Sequence, residues 1–184
     1  MESFIAIDFD ARIVAELSQI AGCLETHAHG GRFEPPENYH LTLLYLNELE
    51  ETEAAIERLD RIYLDSFELR LNRLGFFANA DDHVLWVDVK RELTELRGLQ
   101  QAIDQAMAGL YAPYDQAPFC PHITLAYGDA FDKEWEQMAS ACPVPASSFT
   151  VTSFHLYEVM RTPAGRRFRK RKTFLLDRGR SHGE

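Results

Sequence analysis

Three cysteines in 184 residues, none in a C-x-x-C pair, leave no zinc framework and no even-numbered disulfide set. Cys23, Cys120 and Cys142 are therefore expected to be free thiols in a reducing compartment. Basic residues are also scarce, 19 against 29 acidic ones for a net charge of −10. A chain that coats nucleic acid needs clustered positive charge, so that class is set aside. No apolar run approaches the length of a membrane span, and the opening Met1-Glu2-Ser3-Phe4-Ile5-Ala6-Ile7-Asp8 carries no basic leader. A cytoplasmic protein with no membrane attachment is the expectation. Low-complexity linkers are missing too, so residues 1–184 are read as one domain of two small lobes sharing a core.

What is present is an ordinary globular balance, 46% hydrophobic and 26% charged. Phe4–Phe9 alternates as a strand does, and Ala11–Leu24 then carries Ile13, Val14, Leu17 and Ile20 at helical spacing. A turn-rich loop, His27–Asn38, leads into a strand at His40–Leu46. Glu50–Leu64 reads as an amphipathic helix. Phe67–Phe77 and Val84–Val89 read as strands joined by the polar tip 79–82. A helix over Glu92–Leu110, a loop with Pro113 and Pro118, a strand at His122–Tyr127 and a short helix near Trp135 follow. Phe149–Met160 and Arg167–Leu176 should pair as a hairpin about the Pro163-Ala164-Gly165 turn, with the last residues, 178–184, frayed. Six of the 19 basic residues fall in Arg166–Lys172. That run fits a salt-bridged hairpin strand or a weak phosphate-contact patch.

One segment returns. His40-Leu41-Thr42-Leu43-Leu44-Tyr45 reappears 82 residues on as His122-Ile123-Thr124-Leu125-Ala126-Tyr127. Each copy follows a Pro-containing loop, as a duplicated β/α unit folded about a pseudo-twofold axis would leave behind. On a strand, residues i and i+2 share a face. His40 with Thr42, and His122 with Thr124, would then project together while Leu41 and Ile123 turn inward.

Two imidazoles and two hydroxyls facing one another suit a cyclic phosphodiester. Histidine titrates near neutrality, so one ring is able to act as base toward water while the other, protonated, acts as acid toward the departing ribose oxygen. Threonine hydroxyls would hydrogen-bond the non-bridging oxygens as charge builds there. No metal and no other cofactor is needed for such a scheme. One His-x-Thr alone is weak evidence; the matched pair carries the reading.

On these residues the chain resembles the two-histidine phosphoesterase superfamily, and within it the LigT-like RNA 2′,3′-cyclic phosphodiesterases, or 2′-5′ RNA ligases. The likeness extends from Phe4-Ile5-Ala6-Ile7-Asp8 through both motifs, Leu74-Gly75-Phe76-Phe77, Val84-Leu85-Trp86-Val87 and Pro118-Phe119. It ends with Phe154-His155-Leu156-Tyr157 and Lys172-Thr173-Phe174-Leu175-Leu176. The resemblance implies a bilobal α+β fold with antiparallel sheets around a central cleft and helices outside. It implies hydrolysis of RNA or small-nucleotide 2′,3′-cyclic phosphates to 2′-phosphates, without metal; separately, a monomer is the expectation. His122 would be the base and His40 the acid. Alternatives on the same residues are a 2′-5′ RNA ligase and a non-catalytic nucleotide-binding module.

The chain departs from the family pattern at Tyr127 (often Arg), Cys120 (often basic), Asn47 (commonly Gly) and Glu158 (frequently Ser). Less positive charge by the second motif points to a short oligonucleotide, a cyclic mononucleotide or an ADP-ribose cyclic phosphate. Phe119, Tyr127 and Tyr45 are the candidate substrate contacts, where aromatic rings would stack a base or simply pack the lobe. His27 and His29 lack a ligand pattern for a metal, and His83 and His155 are read as structural.

Overall fold

β1 (Glu2–Ile7), buried from Ser3 to Ile7, runs inside the sheet, and Asp10 then starts α1 (Ala11–His27) by accepting the Ile13 amide at 2.9 Å. The computed structural model describes residues 1–28, 30–78, 83–112, 118–128, 135–163 and 165–177. His29, the tip 79–82, Pro113, Ala164 of the hairpin turn and the expected frayed end 178–184 lie outside them. After α1 come β2 (Arg32–Phe33), a 3-10 turn (Pro36–Asn38), β3 (Leu41–Glu48), α2 (Thr52–Leu59), β4 (Phe67–Ala78) and β5 (His83–Lys90). Then follow α3 (Leu93–Met107), β6 (His122–Gly128), α4 (Trp135–Ala141), β7 (Ser148–Val151), β8 (Ser153–Thr162) and β9 (Gly165–Leu175). None of the described helices is long and apolar enough to cross a membrane.

The strands run in the order β7-β4-β5-β6-β3-β1-β8-β9, all antiparallel, with β2 added beside β6. Folded at its midpoint, this order is symmetric. β3 answers β6, β1 answers β5, β8 answers β4 and β9 answers β7. The helices obey the same relation, since α1 packs on α4 and α3 packs on α2. The duplicated β/α unit is thus a pseudo-twofold in space; β3 and β6 meet through the Leu41–Ile123 pair, and β2 adds Arg32–Tyr127 and Phe33–Ala126 across the same seam.

The helices and one face of the sheet enclose a single core. Ile13, Leu17 and Leu24 of α1 and Leu96, Leu99 and Ile103 of α3 meet Leu41, Leu43, Leu85, Ile123 and Leu125 there. Burying a leucine or isoleucine contributes about 1.5–3 kcal/mol. A one-residue slip of β3 or β6 would exchange these side chains for His and Thr, so the register is strongly held.

Two expectations need correction. Phe149–Met160 is two strands, not one: β7 pairs with β4 and β8 with β1, at opposite reaches of the strand order. Only Thr152 separates them, so the sheet must curl until its β7 end returns beside β8. Alternation in this stretch continues across Thr152 and hides the break; the carbonyl of Thr152 leaves the ladder and accepts the Leu176 amide at 2.8 Å. The free-thiol expectation fails for two of the three cysteines. Cys23 of α1 and Cys142, just beyond α4, form a disulfide across a separation of 119 residues. Helix packing brings them together, which no spacing motif records. Cys120 is free and exposed.

The basic run is mostly a salt-bridged strand. Arg167 faces Glu37 at 3.7 Å, Lys170 faces Asp8 at 2.6 Å, Arg171 faces Glu158 at 3.4 Å and Lys172 faces Asp60 at 3.8 Å. Glu158, the departure from the family's Ser, also takes Arg169. Asn47, the departure from Gly, has φ 55, a left-handed conformation that Asn tolerates better than most residues.

Candidate active site

The Leu41–Ile123 pair sets the geometry. Continuing that antiparallel register one residue each way sets His40 across from Thr124 and Thr42 across from His122. The ladder holds only this pair, so the strands diverge from it. With Leu41 and Ile123 wholly buried, the His and Thr side chains emerge on the opposite face, each partly exposed. Among the described residues neither threonine hydroxyl has a protein hydrogen-bond partner.

Strict alternation would turn Tyr45 and Tyr127 away from this face, yet both share it. The β1–β3 register steps from Ile5–Leu44 to Ala6–Thr42 and leaves Leu43 as an extra residue. The β5–β6 register steps from Leu85–Ala126 to Trp86–Thr124 and leaves Leu125 as an extra residue. These are matching β-bulges, and each re-aims the chain beyond its threonine. Tyr45 then packs by Phe4, Ala6 and Tyr157 and donates to Glu2 at 2.6 Å. Burial and that carboxylate push its phenol up to about 12. Phe119 differs from the other candidates: it packs on the main core.

Each imidazole is held the same way. His40 Nδ1 lies 2.6 Å from the Asn38 carbonyl and His122 Nδ1 lies 2.7 Å from the Cys120 carbonyl. A carbonyl only accepts, so Nδ1 carries hydrogen in both rings and Nε2 is left for chemistry. Aromatic rings wall them in. Phe4 and Phe168 lie 4.7 and 5.1 Å from His40, and Phe77 and Trp86 lie 5.0 and 6.4 Å from His122. Burial lowers the pKa of both. For His40 the Asn38 carbonyl and the Glu34 charge work against that shift, while the His122 and Arg166 charges add to it. His40 therefore senses the charge of His122.

Sequence reasoning missed these walls, since Phe4 and Trp86 sit in strand patterns that any core would show. His155, read as structural, is buried as that reading requires, with polar partners the sequence did not reveal. That ring is 3% exposed, with Nε2 at 2.8 Å from Asp8 and Nδ1 at 3.0 Å from the Thr173 hydroxyl. Asp8 would be raised by burial, but His155 and Lys170 hold its carboxyl well below the usual range. Across the pseudo-twofold, the Ala6–His155 pair corresponds to Trp86–Gly75. The bulk has changed strands: a Cβ at Gly75 would lie 2.0 Å from the Trp86 indole.

These features define a class, two-lobed α+β proteins in which paired His-x-Thr strands meet at a pseudo-twofold axis. The model of the 2′-5′ RNA ligase superfamily matches residues 9–162, and the chain belongs to that family. It is 26% identical to the RNA 2′,3′-cyclic phosphodiesterase of Thermotoga maritima over 170 residues, 90% of each chain. It is 29% identical to the RNA 2′,3′-cyclic phosphodiesterase of Archaeoglobus fulgidus over 180 residues, 95% of this chain and 99% of the relative. The crystal structure of E. coli LigT complexed with 3′-AMP superposes with a TM-score of 0.75 at 26% identity, covering 96% of this chain and 98% of that one.

Proposed function

We propose that this chain hydrolyses ribose 2′,3′-cyclic phosphates to 2′-phosphates, with His122 as general base and His40 as general acid. The single-pair register at Leu41 and Ile123 carries the reading, because it gathers both His-x-Thr sets on one face. His122 Nε2 takes a proton from water as the water oxygen bonds to phosphorus. The P–O3′ bond breaks, and O3′ receives the proton from His40 Nε2. One water is consumed and one proton passes to each side, so the next turnover needs only proton exchange between the rings and solvent. Thr42 and Thr124 hydroxyls donate to the non-bridging oxygens.

Glu34 supports this division of labour, since its charge favours the protonated form of His40 and is not among the influences on His122. The relatives' shared activity supports the substrate class. An oligonucleotide ending in a 2′,3′-cyclic phosphate should be converted to the 2′-phosphate product in excess EDTA. His40→Ala and His122→Ala should each cost on the order of 10²–10⁴ in rate. Full turnover by the double variant would overturn the proposal; a 3′-phosphate product would overturn the breaking of P–O3′.

A further inference from the structure

A cavity of about 730 Å³ opens beside the site, lined by Arg32, Phe33, Asn38, Tyr127, Arg166 and Arg167 among others. That volume suits a nucleotide-sized ligand. Two lining residues connect it to the histidines. Asn38 supplies the carbonyl that holds His40, and Tyr127 stands three residues beyond Thr124 on β6. At about 3.3 Å per residue that is roughly 10 Å, comparable with the reach of one nucleotide unit.

The charges in this cavity are not equivalent. Arg161, on its wall, is paired with Glu2 at 2.8 Å, and Arg167 with Glu37 at 3.7 Å. Glu34, also on the wall, accepts from the Asn38 side chain at 2.8 Å and lies 4.0 Å from Arg166, the far limit of an ion pair. Arg166 instead leans on Tyr127, its guanidinium carbon 5.7 Å from the ring centroid and Nη2 3.4 Å from the hydroxyl. Arg32 lies over the same ring at 5.1 Å and has no carboxylate partner among the described residues. Two guanidiniums gathered on one aromatic ring, with a single carboxylate at the edge of reach, form a local concentration of positive charge in a chain of net charge −10. Guanidinium matches phosphate in charge and in donor geometry.

Resting on the cyclic-phosphate reading above, we infer that this cavity is a subsite for a second phosphate of the substrate, one nucleotide unit from the cyclic phosphate and held by Arg32 and Arg166. The place where the family often carries an Arg is occupied by Tyr127, and here the positive charge comes from β2 and β9 across the sheet.

The test compares kcat/KM for three substrates: a nucleoside 2′,3′-cyclic phosphate with a free 5′-hydroxyl, the same compound with a 5′-phosphate, and a dinucleotide ending in the cyclic phosphate. At least one compound with a second phosphate should exceed the bare one by tenfold or more, mostly through KM. An advantage for the dinucleotide alone identifies an internucleotide diester as the occupant, and an advantage for the 5′-phosphate alone identifies a monoester. Arg32→Gln and Arg166→Gln should each shrink that ratio severalfold, with Arg166→Lys retaining more of it. Arg32 is exposed, so its variant should melt as the parent does. Equal kcat/KM for all three substrates, or a ratio untouched in the double variant, overturns the subsite. Calorimetry separates this from failure of the catalytic reading. At least one of a nucleoside 2′,5′-bisphosphate and a dinucleotide ending in a 2′-phosphate should bind tenfold or more tighter than the nucleoside 2′-monophosphate, and the Arg32→Gln, Arg166→Gln double variant should erase the difference. If nothing is turned over yet that difference appears, the catalysis fails and the subsite stands; if the difference is absent, the subsite falls.

Discussion

His40 and His122 are each tied through Nδ1 to the carbonyl two residues earlier, which leaves two like rings with Nε2 free. Identical tethering makes the rings interchangeable in form, so under the proposed mechanism only their neighbours would divide the work. Burial favours the neutral ring in both, so in the free enzyme the window with one ring neutral and one protonated lies below the ordinary histidine range. A bound phosphate adds negative charge beside both rings and raises them. The kcat/KM profile should therefore be bell-shaped with its optimum on the acidic side of neutrality, and the kcat profile should peak at higher pH. Steady-state rates across pH 4–9 check this; coincident optima would count against the buried-ring account. At this scale the motifs were legible because His-x-Thr occurs twice with matched flanks. The aromatic walls were not, because an apolar side chain in a strand carries no sign of which face it will border.

The elements show why a period of two was only partly informative. Alternation located β1, β3, β5 and β6, yet the bulges at Leu43 and Leu125 place Tyr45 and Tyr127 where alternation forbids them. The repeat itself held the clue, since both copies keep Tyr at the same offset from Thr. Other features left none. β2 is two residues inside a turn-rich loop, and the β7–β8 break at Thr152 reflects the return of the curled sheet rather than any local preference. The disulfide belongs to the same group, a tertiary consequence of α1 lying on α4. Cross-linking residues 119 apart restricts the unfolded chain by up to about 5 kcal/mol in the chain-entropy view. Dithiothreitol, or Cys23→Ser, should lower the urea midpoint substantially while the cyclic phosphodiesterase rate under native conditions stays within a few-fold. An unchanged midpoint would mean that the bond does not constrain the chain in solution.

On the whole molecule, near-symmetry must be broken before two identical motifs can act as acid and base. The breaks are visible in the Ala6–His155 and Trp86–Gly75 exchange and in Glu34 beside His40 alone. Charge is broken in the same way. The chain as a whole repels a polyanion, at −10, while the cavity by Tyr127 gathers two guanidiniums with little acidic cover. Counterion release for single strands scales as roughly 0.7 per neutralised phosphate charge. With Arg32 and Arg166 as the contributing cations, the slope of log kcat/KM on log salt should be no steeper than about −1.4, and global repulsion should flatten it further. A rise from 50 to 200 mM salt would then cost at most about sevenfold with an oligonucleotide substrate. The Arg32→Gln, Arg166→Gln double variant should show a flat or slightly rising profile, because only the repulsion remains to be screened. A loss of a hundredfold or more over that range would mean that the substrate engages the ion-paired arginines of β9 as well, and that the salt bridges to Glu37 and Glu158 open when it binds.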